Sequence, residues 1–207
     1  MADRALGRPR EFDRDDALRA AATLFWQHGY SGTSTRSLGT SLGISSSSLY
    51  AAFGSKAELF DEAVRTYALR YSAVYDRALA EPTLAKVIWQ LLTGSIREFV
   101  RVDDGHPGCL TSSAVMGDTS ETMDVRTYVT DLQRQDEARL RERIEDAVRA
   151  GDTASGTDGA ALSVLVQTLW HGLAARADLG AGADELTATA ALAVALLPLE
   201  DGPVARP

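Results

Sequence analysis

The stretch from Thr33 to Lys56, TSTRSLGTSLGISSSSLYAAFGSK, decides the fold. It reads as two short helices joined by a tight turn, followed by the start of a third. Thr33 and Ser34 are good N-cap residues. Leu38 and Leu42, four apart, give the first helix one apolar face. Gly43 breaks that helix, because glycine takes the left-handed backbone of a sharp turn without a Cβ clash. Ile44 anchors the turn, Ser45 caps the second helix, and Leu49 and Phe53 share that helix's buried face. This is the layout of a helix-turn-helix, whose second helix enters the DNA major groove.

Many helical hairpins share the layout, and the residue identities make it specific. Counted from His28, the run HGYSGTSTRSLGTSLGISSSSLYAAFGSKAEL closely resembles the DNA-binding domain of the TetR family of bacterial repressors. Gly29, Tyr30, Thr33, Ser34, Leu38, Gly43, Ile44, Ser45, Leu49, Tyr50, Phe53, Ser55, Lys56 and Leu59 fall where that family's pattern has them. The resemblance implies phosphate contacts from Thr33 or Ser34, Ser45, Tyr50 and Lys56. For Lys56 the physical case agrees, since an ammonium at a helix N-terminus is a ready phosphate site. Arg36 can reach the backbone or the groove edge. Ser46, Ser47 and Ser48 lie on the open side of the recognition helix; small hydroxyls approach bases closely but carry little sequence code. The family often has lysine at Ser46 and glycine at Ser47, so the operator sequence does not follow from the resemblance.

Working outward towards the N-terminus, Asp13 can cap a first helix with Leu18, Ala21, Leu24 and Phe25 as its buried face, ended by Gly29. Ahead of it, Arg8 and Arg10 sit in a basic arm that either follows phosphates and the minor groove or is a solubilising tail. Residues 1–56 hold seven basic and five acidic side chains, whereas the rest of the chain holds 14 basic and 24 acidic ones. The overall charge of −8 therefore resides outside the DNA-reading segment, a distribution that suits a DNA reader on an acidic partner domain.

On the C-terminal side, Ser55 and Glu58 have capping-box spacing. The helix they open keeps an apolar stripe through Leu59, Phe60, Ala63, Val64, Tyr67, Tyr71, Val74 and Ala78 until Glu81-Pro82. This helix connects a DNA-binding domain at 1–60 to a helical domain at 61–207. The spacing predicts further helices over Thr83–Val102, Cys109–Met116, Thr122–Ala150, Asp158–Leu179 and Ala183–Leu197, punctuated by glycine-rich breaks. The expected fold is all-α. The last two helices are apolar on most sides and must be buried somewhere. In the TetR family such a pair forms a four-helix dimer interface with its symmetry mates. That role falls here on Leu162, Leu165, Val166, Leu169, Leu173, Leu192 and Leu196, and the expected partner is a second copy of the chain.

Trp89, Ile96, Phe99, Cys109, Met116, Met123, Tyr128, Trp170 and His171 are each ordinary core residues when read singly. As a group they suit the small-molecule cavity that the family places in its C-terminal helices. Gly108-Cys109-Leu110 resembles a motif in a subset of the family, some of which sense oxidants or electrophiles through a cysteine. A thiol in a first helical turn gains from the positive helix end. A lone cysteine is more often a small buried apolar residue, and Asp103 and Asp104 oppose a thiolate.

The single cysteine excludes an internal disulfide framework and fits a reducing cytoplasm. No signal peptide or membrane span is expected. His28, His106, His171 and Cys109 lack metal-ligand spacing, and no nucleophile elbow or glycine loop occurs, so neither metal, cofactor nor catalysis is expected. The charged run Asp136–Glu145 reads as a solvated helix face with ion pairs such as Glu137–Arg141. The reading is a homodimeric, ligand-responsive transcriptional repressor on a palindromic operator. Its rivals are a small-molecule carrier or enzyme with an incidental helix-turn-helix, and a TetR-like receptor for a protein.

Overall fold

The computed structural model describes residues 13–101, 108–111 and 123–199. Among the described residues the chain forms eight helices: α1 (Arg14–Gly32), α2 (Thr35–Leu42), α3 (Ser46–Phe53), α4 (Lys56–Leu79), α5 (Leu84–Phe99), α6 (Met123–Ala150), α7 (Gly159–Asp178) and α8 (Ala183–Leu196). The all-α expectation holds, with helix bounds within a few residues of those the periodicity predicts. Of the short helix expected over Cys109–Met116, Leu110 and Thr111 are helical and residues 112–116 lie outside the described residues, as do Arg8, Arg10 and His106. Among the described residues no helix is long and apolar enough to cross a membrane.

Local chemistry sets the helix starts. Asp13 accepts hydrogen bonds from the amides of Asp15 and Asp16, and these amides, that of Asp16 first, hold its carboxyl below the usual range. Ser45, Ser55, Thr83 and Asp158 cap α3, α4, α5 and α7 in the same way. The capping box expected at Ser55–Glu58 is only half made. Ser55 Oγ accepts from the Glu58 amide, whereas the Ser55 amide donates to Phe53 O. A reciprocal box forms instead at Ser34–Ser37, where serine replaces the usual glutamate. α1 is interrupted at Gly29, whose φ of 69° is non-helical, and one more turn carries it to Gly32.

Two apolar cores meet along α4. The first gathers Leu18, Phe25, Trp26, Tyr30, Leu38, Leu49, Phe53, Leu59, Phe60 and Tyr67, with Leu110, Val125 and Val129 drawn in from beyond α5. Phe60 meets Phe25 edge-on at 5.0 Å and Tyr30 at 5.1 Å, contacts that contribute about 0.5–1.5 kcal/mol each beyond burial. The second core packs Tyr71, Val74 and Tyr75 of α4 against α5, α6, α7 and α8, with Ile96, Phe99 and Trp170 at its centre. The first half of α4 thus braces the helix-turn-helix and the second half is built into the C-terminal bundle.

Candidate nucleic-acid interface and buried cavity

The α2–α3 turn is held by backbone rather than side chains. Gly43 sits in the left-handed region at φ 64° and caps α2. The Ile44 amide donates to Gly39 O at 3.0 Å, and a Cβ on Gly39 would stand 2.9 Å from Ile44 O. Gly39 therefore permits the close approach that sets α3 against α2, a role the sequence reading did not assign. Leu38, Leu49 and Phe53 face inward, which turns Ser46, Ser47, Ser48 and Ala51 to solvent.

Ser45 Oγ lies at the centre of a hydroxyl cluster, 2.8 Å from Ser47 Oγ and 2.9 Å from Ser48 Oγ, while accepting from the Ser48 amide. Tyr50 is 42% exposed, and Ser34 and Arg36 are exposed on the first turn of α2. Lys56 opens α4 with its Nζ 4.0 Å above the Tyr30 ring. This cation–π contact holds the ammonium of the first α4 residue over the Tyr30 ring. Thr33 is corrected. It is 1% exposed and its hydroxyl donates to Gly29 O (2.8 Å) and Leu24 O (3.2 Å), so it closes α1 and its side chain cannot reach a phosphate. Arg14 pairs with Glu62 and lies over Phe53, which keeps it within the domain.

A small, partly open cavity of about 30 Å³ lies between α4, α6 and α7, with Thr111 at one side. Of the residues expected to line a pocket, Trp170 and His171 do so. Ile96, Phe99 and Cys109 are buried behind it in the C-terminal core, Trp89 packs on the outside of that core, and Tyr128 packs on the other core beneath Arg65. The lining that sequence reading missed is Tyr71, Tyr75, Asp136, Glu137 and Gln167. Tyr71 was visible on the α4 stripe, but nothing local marks which core it enters, and Tyr75 was not on the predicted stripe. Asp136 is corrected too: it is 6% exposed and accepts from Ser72 Oγ at 2.9 Å, and burial raises its pKa. Arg141 pairs with Glu145 at 2.8 Å, not with Glu137.

Tyr75 Oη and the Gln167 amide are hydrogen-bonded at 2.8–3.0 Å inside the bundle, and burial pushes the Tyr75 hydroxyl pKa up. Trp170 Nε1 donates to Ser95 Oγ at 2.6 Å, and its ring meets Tyr71 and Phe99 edge-on at 5.6 and 5.2 Å. Burial also lowers the His171 pKa below its usual 6.5, against a smaller opposing pull from Glu137. The unfolded chain therefore binds a proton below about pH 6.5 that the folded chain refuses. Stability should fall as the pH drops from 6.5 to the folded value of His171. His171→Phe should lessen that fall, measured as the difference between urea midpoints at pH 7.5 and 5.5. Asp136 acts in the opposite sense, since its raised pKa makes the folded state the better proton acceptor near and above pH 4.

The face assigned to dimerisation divides. Leu162, Val166 and Leu173 are buried in the chain's own core, and Leu169 is half-buried against it, because successive helical positions are about 100° apart and these point towards α5 and α6. Leu165 of α7 and Leu192 and Leu196 of α8 are exposed, joined by Val164, which the sequence reading omitted.

The pattern of bacterial regulatory proteins of the tetR family matches residues 17–63. The HTH-type transcriptional repressor BdcR of Escherichia coli (strain K12) is 30% identical over 190 residues, 92% of this chain and 91% of that one. The HTH-type transcriptional repressor ComR of the same strain is 44% identical over 73 residues, and the match spans 35% of each chain. Among solved structures, a cysteine mutant of the TetR family transcriptional regulator CifR, complexed with 26bp double-strand operator DNA, superposes with a TM-score of 0.77 at 33% identity. That alignment covers 93% of this chain and 100% of the other.

Proposed function

Because the chain belongs to the TetR family of bacterial regulatory proteins, we propose that it acts in the cytoplasm as a homodimeric repressor of a palindromic operator, released by a small molecule. The observation that supports it most is the outward row Ser46, Ser47, Ser48 on α3, beside a Lys56 ammonium held at the α4 N-terminus. On this reading, residues 1–60 are the DNA-binding domain and 61–207 the sensing and dimerising one. Ser34, Ser45, Tyr50, Lys56 and Arg36 hold the phosphates, with Arg8 and Arg10 in the N-terminal arm, while Ser46 to Ser48 face the bases. Hydroxyls give a weak base code, so the operator is read in good part through groove shape and bound water.

The cavity between α4, α6 and α7 is the effector site. At about 30 Å³ it has room for little more than a water or two, so an effector must widen it. Widening moves α4, to which the DNA-reading domain is fixed, and shifts the population towards a spacing of recognition helices that no longer fits successive major grooves.

The test is selection of bound duplexes from a random pool, followed by titration of the selected operator at several salt concentrations. A two-fold-symmetric sequence is expected. Lys56→Ala should weaken all operator variants about equally and lower the salt slope by roughly 1 per half-site. Ser46→Ala or Ser48→Ala should change base preference instead. A Lys56→Ala protein with altered base preference and an unchanged salt slope would remove Lys56 from the phosphate set.

A further inference from the structure

Ser45, Ser47 and Ser48, all exposed at the start of the recognition helix, share their hydroxyl hydrogens. Ser45 Oγ lies 2.8 Å from Ser47 Oγ and 2.9 Å from Ser48 Oγ, and it accepts the Ser48 amide at 3.1 Å. A hydroxyl has one hydrogen to give and two lone pairs to receive. The Ser48 amide takes one lone pair of Ser45, since this bond is the N-cap of α3. One lone pair and one hydrogen are left for two neighbours. Ser45 therefore accepts from one of Ser47 and Ser48 and donates to the other.

This sharing makes the two outer hydroxyls unequal. The one that gives its hydrogen to Ser45 shows only lone pairs outward. The one that receives from Ser45 keeps its own hydrogen for an outside acceptor. Turning the three O–H bonds exchanges the roles without moving a heavy atom. We propose that Ser45 is a positioning residue for base recognition, whose hydroxyl lets either Ser47 or Ser48 donate to a base edge but not both at once. The proposal rests on the reading that α3 enters the major groove with these serines towards the bases, and it states what that face selects.

In the major groove guanine presents only acceptors, N7 and O6, whereas cytosine presents the N4 donor. Guanine before one serine and cytosine before the other is satisfied in either order, because the hydroxyls turn to suit. Cytosine before both is also accepted, since each hydroxyl keeps an outward lone pair. Guanine before both leaves one guanine facing lone pairs. In solvent, water supplies the missing bond; pressed against base edges, linked hydroxyls hold their pattern more firmly. Unlinked serines would each choose alone and carry no such exclusion. Ser46 gives the contrast within the same helix: it is exposed and makes no hydrogen bond among the described residues, so it reads its own position independently. With the Ser45 hydroxyl fully engaged, its phosphate contact falls to its backbone N–H.

The experiment is competition binding of the full chain to variants of the operator that it selects. Ser47→Ala and Ser48→Ala first locate the base pairs whose preference each changes. The four combinations of G·C and C·G at those two positions then form a cycle. In wild type, the duplex with guanine before both serines should bind at least about threefold more weakly than the single changes multiply to. Combinations with the position read by Ser46 should simply multiply. Ser45→Gly keeps a tolerated N-cap without a side-chain oxygen and should abolish the deficit, whereas Ser45→Thr retains the hydroxyl and should keep it. A weakened helix start lowers the affinity of every operator alike and leaves this ratio untouched. Wild-type affinities that multiply across the two positions, or a deficit that survives in Ser45→Gly, would overturn the shared-hydrogen rule and leave α3 as the reading helix. Ser47→Ala and Ser48→Ala chains that both keep the wild-type base preference would take these serines off the bases, and the rule would fall with the reading beneath it.

Discussion

Leu165→Glu combined with Leu192→Glu is expected to yield a folded monomer whose operator affinity is about a hundredfold to ten-thousandfold below wild type. The two leucines are 45% and 63% exposed in the isolated chain, so charging them should change the protomer's own stability by no more than about 0.5 kcal/mol. In a dimer that seats α7 and α8 against their mates, the same glutamates would be buried without partners, at several kcal/mol. The chain then loses the second half-site, which a dimer binds at millimolar effective concentration. Light scattering reads the mass and a gel-shift titration reads the affinity. Val166→Glu provides the contrast. Val166 is fully buried in the protomer, so that charge should unfold the chain rather than separate it. A double variant that stays dimeric with wild-type affinity would place the interface elsewhere.

Trp170→Ala should remove about 3–5 kcal/mol of stability, a large part of the 5–15 kcal/mol typical of a native protein. Trp170 joins three helices: its ring sits between Tyr71 of α4 and Phe99 of α5, and its indole N–H donates to the fully enclosed Ser95. Trp170→Phe separates the two contributions. It keeps most of the apolar contact but leaves the Ser95 oxygen without its donor, and should lose about 1–3 kcal/mol. Urea unfolding monitored by circular dichroism gives both values. A Trp170→Phe chain as stable as wild type would show that Ser95 finds another partner.

Features fixed by neighbours in the chain were legible, and those fixed across the fold were not. The caps at Asp13, Ser45 and Ser55, the left-handed Gly43 and the inward Leu49 and Phe53 depend on a few consecutive residues. Sequence reading accordingly placed them. α7 and α8 are apolar around most of their circumference, so periodicity could not tell Leu162 and Val166, which face their own bundle, from Leu165, which faces out. The cavity was harder still. The Tyr75–Gln167 hydrogen bond spans 92 residues, and the partner that buries Asp136, Ser72, lies 64 residues away. No local pattern carries that information. The acid of a charged run looks solvated until a helix from elsewhere covers it.

The first core borrows Leu110, Val125 and Val129 from the C-terminal half of the chain, and α4 runs unbroken from one core into the other. The DNA-reading head is therefore not a cassette. A chimera cut at residue 60 would strip Val64 and Tyr67 from the head, along with its loaned aliphatic lid, and leave an uncovered apolar seam prone to aggregation. The portable unit is the head with α4 through Tyr67, together with a recipient body that offers equivalent side chains at the loaned positions. Exchange of operator specificity between such regulators is better made on the outer face of α3, where the serine hydroxyls reach only the Ser45 cap and no core residue.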